Sequence, residues 1–159
     1  MYVWLGTCDL TAKNKQYISL RTETDEIINK LTDKYSEIIN IVKKYPGSRV
    51  TILETPTYSI KKWNKQKGHK NSSLFEEQDE KLAEQIHNLN SRVREINRVK
   101  ETHSPEFSSD LSTSRKYLCG KERKVKTKKY YNFDLYKDGI HPDNTLEKAW
   151  LRKTRPLDN

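Results

Sequence analysis

The chain has 159 residues, one domain's length, and only 33% of them are hydrophobic at a mean hydropathy of −1.03, so a thin core is expected. Met1 leads straight into a strand-like segment and no apolar run approaches the ~20 residues of a membrane span, so neither a secretory leader nor a membrane segment is expected. A net charge of +9, with two cysteines and four histidines in no ligand or disulfide spacing, points to an intracellular chain without metal or organic cofactor.

In chain order, Tyr2-Val3-Trp4-Leu5 is an apolar aromatic and β-branched run that stops at Gly6, which predicts a short buried strand. A polar loop is expected through Arg21. Ile27, Ile28, Leu31, Tyr35, Ile38, Ile39 and Val42 then recur at helical spacing, with Thr22 or Thr24 as N-cap and Pro46-Gly47 as the stop. The β-branched run from Arg49 to Glu54, ended by Thr55-Pro56, predicts a second buried strand. Residues 56–73, with Trp63 and His69 among lysines, read as a long loop.

Ser73-Leu74-Phe75-Glu76 has capping-box spacing and opens a helix with Leu82, Ile86, Leu89, Val93 and Ile96 on one face. Two heptads are too few for a coiled coil, so this helix is expected to pack on the sheet. Residues 106–109 read as a third, short strand. From Arg115 to Lys129 eight basic residues stand against one acidic, so the charge is local, and residues 109–129 read as a flexible basic insertion. The cations Arg115, Lys116, Lys121, Arg123, Lys124, Lys126, Lys128 and Lys129 are the candidate contacts for nucleic-acid phosphates. A last helix starts at Asn144. Trp63 and Trp150 read as packing residues, and His69, His87 and His103 as solvent-exposed.

Strands alternating with amphipathic helices predict the α/β class, with a short parallel sheet covered by helices on both faces. Ligand sites in open sheets of this kind lie beyond the carboxyl ends of the strands. That places interest on Gly6-Thr7-Cys8-Asp9, on Thr55-Pro56-Thr57, and on the loop carrying Asp138 and His141.

The strand followed by Gly6-Thr7-Cys8-Asp9-Leu10 resembles the G-x-N-D block of the SGNH (GDSL-type) hydrolases, and Asp138-Gly139-Ile140-His141 resembles that family's D-x-x-H block. The resemblance spans this chain and the second half of the family's domain. It implies a flavodoxin-like, three-layer α/β/α fold, here as a partial domain in which the strand at Tyr2 is interior and, without an upstream neighbour, presents an apolar edge. It also implies serine-dependent hydrolysis of a small ester or acylated substrate, with His141 as general base, Asp138 orienting it, and Gly6 and Cys8 at the oxyanion-hole position.

Two departures bear on activity. No G-D-S and no G-x-S-x-G occurs in the chain, so the nucleophile motif is absent and the resemblance implies an inactive fragment when this chain stands alone. Cys8 stands where the family has asparagine, and a thiol is the weaker donor. A Cys8–His141 dyad is the other arrangement these residues allow, although a small cysteine ordinarily packs. Read without the resemblance, Asp138-Gly139 is a turn dipeptide and Pro142 constrains its exit. A non-catalytic binding or scaffold domain of the same type, or a nucleic-acid-associated module of a mobile-element-type protein using the basic stretch, are the alternative functions.

Overall fold

The computed structural model describes residues 1–119 and 124–154. The described chain is mixed α/β, with four α-helices and three two-stranded sheets. Strand β1 (Tyr2–Val3) pairs in parallel with β4 (Thr51–Ile52), β2 (Thr11–Asn14) with β3 (Tyr17–Leu20) in an antiparallel hairpin, and β5 (Ser112–Cys119) with β6 (Lys124–Tyr131) in another. The helices are α1 (Thr24–Val42), α2 (Ile60–Gln66), α3 (Glu76–Val99) and α4 (Asn144–Lys153).

The core forms where the two long helices lie against each other and α3 lies against β4. Ile28, Leu31, Tyr35 and Ile39 of α1 and Leu82, Ile86, Leu89 and Val93 of α3 are buried, so each helix turns its apolar stripe inward at the spacing that 3.6 residues per turn dictates. The helix boundaries differ from expectation at their starts. Glu23 precedes α1 with no side-chain cap, and Ser72–Phe75 is a 3₁₀ turn leading into α3, so the Ser73/Glu76 capping box does not form.

The parallel sheet is a single two-residue pair. Thr51 N–H and Leu53 N–H donate to Met1 O and Val3 O at 2.9 and 2.8 Å, which turns Ile52 N–H and C=O away from β1. A third strand would take those groups. Instead α3 runs there, and Asn97 Oδ1 accepts from Ile52 N at 3.0 Å while its Nδ2 donates to Ile52 O at 2.7 Å. Asn90 does the same for Thr55 at 2.9 and 2.8 Å. Each amide imitates a strand's donor and acceptor, so buried backbone stays paired where the sheet ends. The expected third strand is a 3₁₀ turn, Phe107–Asp110, and contributes the buried Phe107.

Three stretches read as loops have regular structure. The polar segment before Arg21 is the β2–β3 hairpin, turning at Lys15 with φ 54°. Within residues 56–73, residues 56–60 are buried and lead into α2, whose N-cap Ser59 accepts from Lys62 N. Asn64 of α2 closes the β3 edge, bonding Ile18 N and O at 2.9 and 2.8 Å. The basic stretch, expected as a flexible insertion, contains two eight-residue paired strands, β5 and β6.

Candidate active site

The carboxyl end of β1 runs into a turn that only glycine can make. Gly6 has φ +110°, and a Cβ there would stand 2.9 Å from Thr55 Oγ1 and 3.2 Å from Leu89 Cδ2. Leu5 O, just before it, accepts from Tyr35 Oη at 3.0 Å and Thr55 Oγ1 at 3.2 Å, so both the helix and the neighbouring strand hold the turn. Burial, with the charge of Asp9 nearby, pushes the Tyr35 hydroxyl up to about 12. Tyr35 therefore stays a donor across the physiological range.

The buried run after β4 ties this turn to the distant His141 loop. Tyr58 Oη donates to Thr7 O at 2.6 Å, Tyr136 Oη donates to Thr57 O at 2.6 Å, and Ser59 N donates to Gly139 O at 3.0 Å. Burial raises both phenols well above the ordinary tyrosine value. Gly139, at φ +99°, presses so closely on α2 that a Cβ would lie 2.8 Å from Trp63 N and 2.9 Å from Ser59 O.

The loop itself folds around one carboxylate. Asp138 Oδ1 accepts from Ile140 N at 3.0 Å and His141 N at 2.8 Å, and its Oδ2 lies 2.7 Å from His141 Nδ1. Partial burial pushes the Asp138 carboxyl up, but hydrogen bonds from the His141 backbone and ring and from Ile140 N–H outweigh it and hold the group below the usual aspartate value. Lys137 N donates to His141 O at 2.8 Å and closes the turn. Asp143 then caps α4, accepting from Thr145 N and Leu146 N at 2.9 and 2.8 Å.

His141 is exposed, with its ring centroid 6.1 Å from that of Trp63. It lines a cavity of about 640 Å³ together with Thr7 and the exposed thiol of Cys8. The walls are Trp4, Leu53, Pro56, Tyr58, Phe107 and Trp150. Trp4 stacks on Phe107 at 5.6 Å and meets Trp150 edge-on at 5.9 Å. Tyr2, Trp4 and Leu5 are each more than 40% exposed along β1, whose only partner among the described residues is β4.

The structure thus places His141 and Cys8 on one cavity, with Asp138 behind His141, whereas Gly6 is buried and does not line it. An Asp–His pair can orient one imidazole nitrogen and leave the other to accept a proton. Among the described residues no group of histidine, cysteine or acidic side chains is arranged to hold a metal ion. No helix in them is long and apolar enough to cross a membrane.

The described nucleic-acid candidates lie on the β5–β6 ribbon, and none of them lines this cavity. Lys116 and Lys129 are exposed, Arg115 and Lys128 are register partners, and Lys124 and Lys126 pair with Cys119 and Tyr117. Lys121 and Arg123 lie outside the described residues. Trp150 is buried and Trp63 half-buried, its Nε1 donating to Gln16 O at 2.9 Å. His87 and His103 are exposed, whereas His69 is half-buried, edge-on to Tyr17 and Phe75 at 4.9 and 5.0 Å.

The residues that sequence reasoning missed are the fasteners: Tyr58, Tyr136, Ser59 and Asn90. Asn90 and Asn97 carried a signal, since they fall seven apart on the apolar stripe of α3, where a polar residue demands a buried partner. Comparison with known proteins found no matching family model, curated protein or solved structure.

Proposed function

We propose that this chain carries the base and orienting carboxylate of an acyl-ester hydrolase site of the SGNH type, in a three-layer, flavodoxin-like domain. The observation that carries the reading is the 2.7 Å contact between Asp138 Oδ2 and His141 Nδ1 beside a cavity that His141 lines together with Thr7 and Cys8 of the turn beyond β1. In this reading Asp138 fixes the proton on Nδ1, and Nε2 takes a proton from the hydroxyl that attacks the ester carbonyl. Asp138 then stabilises the imidazolium so formed. Cys8 occupies an oxyanion position with a weak donor, and loss of one such donor costs about 10²–10³ in turnover. The reading leaves the nucleophile unassigned, since no G-D-S stands in the sequence; water, or the Cys8 thiol on the same cavity, is what the described residues offer His141.

Hydrolysis of p-nitrophenyl butyrate by the full chain tests this. The protein-dependent rate is expected to fall about 10²-fold in His141→Ala, the low end of a general base's contribution. It falls by a smaller factor in Asp138→Asn, and rises in Cys8→Asn. A rate unchanged by His141→Ala overturns the proposal.

A further inference from the structure

The cavity beside His141 has a composition that the chain as a whole does not. The sequence carries thirty-one lysines and arginines, yet among the described residues no lysine or arginine lines this space, whose ionisable lining groups there, besides tyrosine and the Cys8 thiol, are His141 and the exposed Glu147 on α4. Its lining includes the packed aromatic set Trp4, Phe107 and Trp150 together with Leu53, Pro56 and Tyr58. A volume of about 640 Å³ lies within the usual range for small-molecule sites. A phosphate or carboxylate placed here would give up water with no cation to meet it, whereas an alkyl or aryl group would leave water at a gain.

We infer that the cavity seats the uncharged, apolar acyl or aryl portion of the substrate, so that the ester acted on is one of a medium-length aliphatic or aromatic acid and not a phosphorylated or otherwise anionic one. The inference rests on the hydrolase reading and specifies its substrate class. The apolar group lies against Trp4 and Trp150, and the ester linkage faces His141 on the rim. Glu147 at the same rim adds a further penalty against an anion.

The test is displacement of the uncharged fluorophore N-phenyl-1-naphthylamine from the full chain by 1-octanol and by octanoate, at a pH where the acid is ionised. Octanol is expected to displace it at a concentration at least about tenfold lower than octanoate, because an unpaired carboxylate resists transfer into an apolar site. Leu151 lines the cavity and is 59% exposed, so Leu151→Lys adds a cation there without disturbing the core. That variant is expected to weaken octanol about tenfold and to bring octanoate level with it or ahead.

Equal displacement by the two ligands in the native chain, or binding indifferent to Leu151→Lys, overturns the inference. So does fluorescence that falls as protein concentration rises while octanol has no effect, which assigns the cavity to a second copy of the chain. Octanol has no scissile bond, so the two proposals fail separately. Octanol bound normally with a hydrolytic rate indifferent to His141 defeats the hydrolase reading, and octanol excluded with a His141-dependent rate defeats the substrate class.

Discussion

Asp138 uses both carboxylate oxygens on its own loop, one for the N–H groups of Ile140 and His141 and the other for the His141 ring. Because these bonds favour the ionised form, its pKa in the fold lies below the unfolded value. A carboxylate shifted in that direction stabilises the fold fully above the ordinary aspartate value and loses the contribution as pH falls through the folded value. The difference in melting temperature between the native chain and Asp138→Ala is therefore expected to shrink as pH falls below about pH 4. A difference that stays the same down to pH 3 would show that the carboxylate does not clamp the loop in its ionised form. Glycine matters here for a local reason, since Gly139 combines a left-handed φ with backbone contact to α2 that leaves no room for a side chain.

At the scale of elements, α3 replaces a strand. Its Asn97 satisfies Ile52 and also reaches Ser104 Oγ at 2.9 Å, all in the interior. Removing that amide strands a buried N–H and a buried C=O, at about 1–3 kcal/mol for each group left unpaired. Asn97→Ala is expected to lower the urea-unfolding free energy accordingly, while Asn88→Ala, on the exposed side of the same helix, changes it by less than about 0.5 kcal/mol. Equal effects of the two would mean that the asparagine edge is not what closes the sheet. The long helices were legible because their apolar residues repeat at 3.6, and the last helix because Asn144-Thr145-Leu146-Glu147 opens a run carrying Leu146, Ala149, Trp150 and Leu151. The β2–β3 hairpin was not, since Thr11-Ala-Lys-Asn carries no apolar alternation and its stability comes from α2 through Asn64. Phe107 lies in a short segment whose burial against Trp150 is tertiary, and nothing local separates a 3₁₀ turn from a strand there.

Over the whole molecule, residues more than 130 apart in sequence meet at one cavity, because the buried run through Thr57, Tyr58 and Ser59 fastens the turn after β1 on one side and the 136–141 loop on the other. The two short motifs could be seen in the sequence, but the fasteners between them could not, since tyrosine hydroxyls bonding to carbonyls leave no spacing rule. The charge is divided likewise: cations gather on the β5–β6 ribbon while the cavity is free of them among the described residues. The proposed function requires that this convergence hold His141 as an oriented base with Nε2 open to the cavity. Long-range ¹H–¹⁵N correlation of the histidine rings, recorded at a pH where His141 is neutral, reads it directly. The account predicts the Nδ1–H tautomer for His141 in the native chain and a mixture of tautomers in Asp138→Ala. An Nε2–H tautomer in the native chain, or a ring spectrum unaffected by Asp138→Ala, would contradict it.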